Sequence, residues 1–157
     1  MTETLPPPPL EHVCDIAVTI APPVEVGVTP AGLRRMIPIT GGVVQGPRLN
    51  GKVLAGGADF QLILGGGTQA HLDARYVIEL DDGTRVFVQN TALRVASLEN
   101  SQRIMRGQPV PPDAVYFRCQ PRLEAASPAW AWLGESQFIG TGRRAPDGVF
   151  LSFYRVC

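Results

Sequence analysis

The sequence predicts an all-β protein: a compact antiparallel β-barrel of about eight strands, lipocalin-like in size, with one or two short helices. Three observations lead to this fold. Short stretches alternate apolar and polar residues with a period of two, as strands do when one face is buried. The 17 glycines and 15 prolines fall largely between these stretches and leave little room for long helices. The chain of 157 residues has the length of one domain.

The strands are predicted in chain order from this alternation. The first reads CDIAVTI, and the second bends at Gly56-Gly57 before it continues as ADFQLIL. The predicted strands cover residues 14–20, 53–64, 73–80, 84–92, 114–120, 137–144 and 149–156. A set of about eight such strands favours a closed barrel, because closure leaves no edge strand to aggregate. The interior of a barrel of that size holds side chains or one small ligand.

Two tight turns are predicted between neighbouring strands. Gly83 follows two aspartates at residues 81 and 82, and a glycine after aspartate suits a hairpin. Residues 145–148 read APDG, with proline and glycine at positions that β-turns prefer.

Two short segments are predicted as helices. Residues 97–106 have Ser97 at the N-cap position and Gly107 as a stop signal. Residues 127–134 begin with Ser127, have proline at the first helical position and end on glycine. The proline-rich residues 1–11 are predicted to form a flexible tail, and residues 12–157 a single barrel domain.

Charge and composition exclude several classes of partner. Fourteen Lys and Arg residues balance 14 Asp and Glu residues, so the chain lacks the positive charge that nucleic-acid binding requires. No apolar run reaches the ~18–20 residues that cross a bilayer, and the acidic N-terminus does not resemble a secretory signal. The zero net charge and the strand edges lead us to expect a homo-oligomer, either a dimer or a tetramer.

The cysteines and histidines predict neither a disulfide framework nor a metal site. Cys14, Cys119 and Cys157 are few, scattered and odd in number, so we expect a reduced, cytoplasmic protein. His12 and His71 are the only histidines, and no other ligands accompany them at metal-binding spacing. The glycine-rich segments match no phosphate-binding motif. We therefore expect no metal and no cofactor.

Polar residues within the apolar strands are the candidates for chemistry. Asp59 and Gln61 share one strand face, and so do Tyr116 and Arg118 on a later strand. Asn90 is a third such position. If these faces point inward, the set supplies a base, hydrogen-bond donors and an anion clamp. The alternative interpretation is a buried Asp59–Arg118 ion pair that only fixes strand register.

Several motifs, in the same order along residues 12–157, resemble the domain-of-unknown-function family 3237, also called uncharacterised protein family 0311. They include Gly32-Leu33-Arg34-Arg35, Ile37-Pro38-Ile39-Thr40-Gly41-Gly42, Gly56-Gly57-Ala58-Asp59-Phe60-Gln61, Ala74-Arg75-Tyr76, Tyr116-Phe117-Arg118, Trp132-Leu133 and Tyr154-Arg155-Val156. The resemblance implies a compact antiparallel barrel and leaves the activity largely undefined. This chain departs from the family pattern at Cys119, where threonine is usual, and at Gly134, where asparagine is usual.

The function predicted from these residues is a cofactor-independent enzyme. It would act by acid/base proton transfer on a small apolar or aromatic carbonyl compound, as an isomerase, lyase, hydratase or cyclase. Asp59, Tyr116 and Arg118 are the predicted catalytic residues. The predicted substrate-binding residues are Arg34, Gln61, Tyr76, Asn90, Glu124, Trp130 and Trp132. Two alternatives stay open: a barrel that binds a small hydrophobic ligand without reacting it, and an oligomeric structural protein whose barrel is filled by its own side chains.

Overall fold

The structure, a computed structural model, describes residues 1–157 and contains ten strands. The strands are β1 (Leu10–Ile20), β2 (Val24–Thr29), β3 (Gly32–Gln45), β4 (Gly51–Val53), β5 (Ala58–Leu64), β6 (Gln69–Leu80), β7 (Arg85–Ala96), β8 (Val115–Ala125), β9 (Gln137–Ala145) and β10 (Gly148–Val156). The one α-helix, α1, spans Leu98–Met105. Single turns of 3₁₀-helix lie at Gly65–Gly67 and Pro112–Ala114, and a longer 3₁₀ segment spans Pro128–Leu133.

Eight strands close into an antiparallel barrel. Their order around the barrel is β1, β10, β9, β8, β7, β6, β5 and β3, and the β1–β3 pairing closes the ring. The two extra strands, β2 and β4, both pair with β3, and β4 also pairs with β6. The predicted fold, an all-β barrel with few helices, is confirmed.

The strand predictions missed β2 and the glycine-containing β3, which follow the first predicted strand. β3 is the longest strand, although Pro38 and the pair Gly41-Gly42 interrupt its alternation. Close packing against β1 requires glycine at residue 42, because a Cβ there would clash with the carbonyl oxygen of Ala17. Glycine at this position lets the two strands approach and close the barrel. β2 was likewise not predicted, and the predicted strand at 53–64 is two strands, separated at the expected bend.

Both predicted helical segments are present, and they differ in type. The side chain of Ser97 accepts a hydrogen bond from the backbone N–H of Asn100 at 3.1 Å, which caps α1. Gly107, just beyond the helix, has φ +72° and allows the chain to turn away. The second segment is 3₁₀ rather than α, and Ser127 makes no capping hydrogen bond there.

One end of the barrel is closed by tryptophans, and we call it the tryptophan end. β1 and β9 start there, and β6, β8 and β10 finish there. Trp130 Nε1 donates a 2.9 Å hydrogen bond to Asp82 Oδ2 in the β6–β7 turn. Trp132 packs on Phe138, with the ring centroids 6.2 Å apart. The interior behind this end is filled by buried apolar side chains, Phe153 among them.

The residues before β1 are exposed and lie outside every strand and helix. The carbonyl oxygen of Pro9 accepts a 2.9 Å hydrogen bond from the backbone N–H of Cys157, so the two ends of the chain meet beside β1. No helix in the structure combines the length and the apolar character that crossing a bilayer requires.

Candidate functional site

A cavity of about 50 Å³ lies inside the barrel, toward the end opposite the tryptophans, and we call it the interior cavity. Ile20, the last residue of β1, and Val149, at the start of β10, line it and show where it sits along the barrel axis. Much of its wall is apolar, with Ile37 and Ile39 from β3 among the contributors. A volume of this size holds a few water molecules or a ligand group of a few heavy atoms.

Asp59 and Gln61 enter the interior cavity from β5, where alternate side chains point inward. Gln61 is only 2% exposed, and its Nε2 donates a 2.9 Å hydrogen bond to Asp59 Oδ2. The other oxygens of the pair, Asp59 Oδ1 and Gln61 Oε1, are shut off from solvent and have no hydrogen-bond partner. Asp59 retains some exposure as a whole residue, but this oxygen does not.

Tyr76 on β6 and Asn90 on β7 add two more polar groups. Asn90 is 4% exposed, and both the Tyr76 hydroxyl and Asn90 Oδ1 are buried without a partner. Buried polar atoms in native proteins are nearly always hydrogen-bonded, because an unmade bond costs about 1–3 kcal/mol. Four unpartnered polar atoms around one cavity therefore indicate space for water or for a polar ligand.

Burial changes the acid–base properties of the two titratable groups in this set. Desolvation raises the pKa of the Asp59 carboxyl above its ordinary value of 3.8, and the Gln61 hydrogen bond, the nearby backbone N–H of Asp73 and the guanidinium charges offset part of that rise. Desolvation likewise raises the pKa of the Tyr76 hydroxyl well above its ordinary value. Tyr76 is therefore a protonated donor at neutral pH, and Asp59 holds its proton to a higher pH than an exposed aspartate does.

Two arginines line the cavity near the carboxyl, and a third lies close to those two. Arg94 on β7 and Arg144 on β9 line the interior cavity, and their charges act on Asp59. Arg94 is 6% exposed, and burial lowers its pKa to about 10. Arg35 on β3 lies close enough to influence both, but its Nε donates a 2.9 Å hydrogen bond to Glu25 Oε1. Glu25 therefore neutralises Arg35, whereas no ion pair in the structure includes Arg94 or Arg144.

The prediction that Tyr116 and Arg118 face the interior is wrong. Tyr116 is 53% exposed, and Arg118 lies over its ring on the outer surface, 5.3 Å from the centroid. The inward side chains of β8 are Phe117 and Cys119, so the chosen face was displaced by one residue, which inverts a strand. The alternative Asp59–Arg118 ion pair is not formed either. Tyr116 and Arg118 border a depression of about 760 Å³ on the outer wall, and none of the buried unpartnered atoms belongs to a residue that lines it.

The structure brings some of the remaining candidates together and not others. Tyr76 lines the interior cavity as predicted for a binding residue, whereas Arg34 and Glu124 are exposed on the outer face. The prediction for Arg34 was wrong by one residue, since Arg35, the next residue on β3, is the buried one. Trp130 and Trp132 lie at the tryptophan end and do not border the interior cavity, so an aromatic wall for the ligand is not present.

Sequence reasoning missed Arg94 and Arg144, although a signal for both exists. The inward positions of β7 are even-numbered up to Asn90, and two further steps of two reach Arg94. The inward positions of β9 run from Phe138 through two glycines to Arg144. Extending the alternation of these two strands to their last residues would have found both arginines.

The whole chain is similar to proteins of one family. The family model described as a protein of unknown function, DUF3237, matches residues 8–156. A UPF0311 protein from Rhodopseudomonas palustris is 39% identical over 156 residues, which cover 99% of both chains. The crystal structure of a conserved protein of unknown function from the same species has a TM-score of 0.91 at 36% identity, covering 98% of this chain and 100% of that one.

A more distant crystal structure shares the fold. It is described as an enzyme from Penicillium herquei, and it is 21% identical with a TM-score of 0.74, covering 100% of both chains. The chain belongs to the DUF3237 family, also named UPF0311.

Proposed function

We propose that this barrel is a cofactor-independent enzyme that moves a proton on a small carbonyl compound, with Asp59 as the acid/base residue. The observation that carries the proposal is the free oxygen Asp59 Oδ1. It is buried and unpartnered, and its residue lines a cavity together with the residues of three other unpartnered polar atoms. A structural carboxylate would have both oxygens satisfied.

Asp59 is arranged so that one oxygen is held and the other is free to react. Gln61 Nε2 donates to Oδ2 at 2.9 Å, which orients the carboxyl group and leaves Oδ1 without a partner on a residue that lines the cavity. Because burial raises its pKa, the ionised carboxyl is a stronger base than an exposed aspartate, as proton abstraction requires.

Tyr76 and Asn90 supply the other half of the chemistry. When Asp59 removes a proton from the carbon next to a carbonyl, the electron pair moves onto the carbonyl oxygen and forms an enolate. The protonated Tyr76 hydroxyl stabilises that oxygen by donating a hydrogen bond, whereas the free Asn90 Oδ1 is an acceptor and holds a donor group of the substrate. Return of the proton to another atom gives an isomerisation, and departure of a group from the next carbon gives an elimination.

Two further observations support an enzyme over a structural barrel that is filled by its own side chains. The distant structural neighbour is described as an enzyme, so the same fold serves catalysis elsewhere. The interior cavity also holds an acid/base group together with hydrogen-bonding groups, a combination that a barrel filled with its own apolar side chains would lack.

The experiment is proton exchange in deuterated buffer. Acetone, acetylacetone, pyruvate and acetoacetate are incubated with the protein, and NMR follows deuterium entering the carbon next to the carbonyl. We expect exchange above the buffer rate for at least one compound. Asp59→Asn should reduce that rate by about a hundredfold or more, the usual contribution of a general acid/base. The control is Asp73→Asn, which changes a half-buried aspartate paired with Arg75 outside the cavity.

Unchanged exchange in Asp59→Asn would refute the role of this carboxyl.

The second candidate function, a barrel that only binds a small molecule, is favoured by the same unpartnered atoms, since they accept a ligand whether or not it reacts. Its signature would be stoichiometric binding with no exchange in any compound, and binding that survives Asp59→Asn.

A further inference from the structure

We infer that Arg94 and Arg144 form an anion-binding end of the interior cavity and that the ligand is a small monocarboxylic acid with an apolar body. The inference rests on the proposed function in one respect: the acid is taken to carry the carbonyl group on which Asp59 acts. The binding of the carboxylate itself does not depend on catalysis.

Positive charge exceeds negative charge around the interior cavity. The groups that face Asp59 are Gln61 on its own strand, Tyr76 on β6, Asn90 and Arg94 on β7 and Arg144 on β9, with Arg35 on β3 close behind the arginines. Glu25 neutralises Arg35. Two guanidinium groups therefore face a single carboxyl, and the cavity keeps a positive charge whether or not Asp59 is ionised.

The two guanidinium groups that line the cavity have few hydrogen-bond partners within the chain. Arg94 is almost wholly buried, and it makes neither an ion pair nor a side-chain hydrogen bond within the chain. The one side-chain hydrogen bond of Arg144 runs from Nε to the carbonyl oxygen of Ala145, at 3.1 Å. A buried guanidinium that makes no ion pair is costly, and its fork of donors matches the two oxygens of a carboxylate. The missing partner is supplied by a ligand.

The charge of the site and the apolar cavity wall decide which anion fits. With Asp59 ionised, one bound monocarboxylate brings the charge of the site to neutrality, whereas the dianionic form of phosphate leaves a surplus negative charge in a low-dielectric interior. With Asp59 protonated, charge does not separate the two anions, and the cavity wall decides between them. The cavity wall next to the arginines contains Val18, Ile37 and Leu151. An apolar body beside one carboxylate matches these walls, and a hydrated inorganic anion does not.

The test uses simple probes and the full chain. Propionate and its neutral amide, propionamide, have nearly the same shape, so their comparison isolates the charge without any variant. Each is titrated into the protein at constant ionic strength, and two-dimensional NMR follows the backbone amides of Tyr76 and Asn90. Phosphate is titrated in parallel. We expect propionate to shift these signals in a saturable way, propionamide to bind at least about tenfold more weakly, and phosphate to bind more weakly than propionate.

Variants then assign the anion site to its residues. Arg94→Gln and Arg144→Gln should each weaken propionate binding by about tenfold or more, because each removes a charge-assisted hydrogen bond. Arg143→Gln is the matched control, since this exposed arginine lies over Phe150 on the outer face. Equal binding of propionamide, tighter binding of phosphate, or shifts confined to the outer wall near Tyr116 would overturn the inference.

The outcomes separate this inference from the proposed function. Arginine-dependent propionate binding with no proton exchange in any compound refutes catalysis and leaves the anion site standing. Exchange on acetone with no binding of propionate refutes the anion site and leaves catalysis standing.

Discussion

At the scale of single residues, environment rather than residue type sets the chemistry. The chain contains 14 acidic residues, and Asp59 is the one whose free carboxyl oxygen is buried and unpartnered in the interior cavity. Cys119 and Cys14 show the same principle, since burial raises their thiol pKa values to about 11 and about 12 and keeps them protonated. Buried cysteines of this kind pack as small apolar residues.

The Asp59→Asn variant should be more stable than the wild type at neutral pH. A carboxyl whose folded pKa lies above its unfolded value contributes stability that is full below about 3.8 and is lost as pH rises through the folded pKa. Asparagine keeps the shape, still accepts the Gln61 hydrogen bond and stays neutral. Urea unfolding from pH 4 to pH 8 should show the advantage of the variant shrinking toward pH 4.

Asp73→Asn serves again as the control and should show no such pH-dependent gain. A large loss of stability in Asp59→Asn at pH 7 would mean that the carboxylate is a structural partner of Arg94 and Arg144, and it would count against the acid/base role.

At the scale of elements, the alternation of each strand decides what reaches the interior. Pro121 lies inside β8, and the strand continues past it to Ala125 with its odd-numbered side chains inward. The same rule carries Arg94 and Arg144 inward near the ends of β7 and β9. The helices contribute little to the site, and their boundaries depend on local capping.

Ser97→Ala should lower the free energy of unfolding by about 1 kcal/mol, because it removes the cap of α1. Ser127→Ala changes the equivalent position of the 3₁₀ segment, where no capping bond exists, and should have a smaller effect. Chemical denaturation of both variants measures the difference. Equal losses at the two sites would show that the Ser97 hydrogen bond contributes nothing.

At the scale of the whole molecule, the two ends of the barrel have different roles. The tryptophan end is filled, and its aromatic side chains contact one another and Arg48, whose guanidinium carbon lies 4.4 Å from the Trp132 ring centroid. The opposite end keeps the interior cavity with its polar and cationic residues. The packed tryptophans and the interior cavity thus lie in separate halves of one closed sheet.

Trp132→Ala should therefore lower stability without changing ligand affinity. The loss of packing on Phe138 should cost about 2 kcal/mol or more, below the range for a fully buried tryptophan because Trp132 is half-buried. The same propionate titration should give the wild-type affinity. Phe87→Ala, at an exposed position, is the control for stability. A tenfold weaker affinity in Trp132→Ala would show that the two ends are coupled.

The candidate site was only partly predictable from the sequence. Asp59, Gln61, Tyr76 and Asn90 were among the predicted site residues, and the structure brings all four to one cavity. Tyr116, Arg118 and Arg34 were placed on the wrong face, because a strand pattern read one residue out of step inverts every side chain. In β8 the outward positions carry Tyr116 and Arg118, which resemble site residues by type alone.

The sequence by itself determined the class of fold, seven strand segments, both helical segments, the hairpin turns and the family. These are local properties, since alternation, capping and turn residues act over a few positions. Only the tertiary structure decided which face of each strand points inward, that Arg94 and Arg144 replace Arg118 near Asp59, and that the tryptophans lie away from the cavity. The physical reason is that these depend on how eight strands from distant parts of the chain pair and close, and barrel closure brings together residues that no local pattern relates.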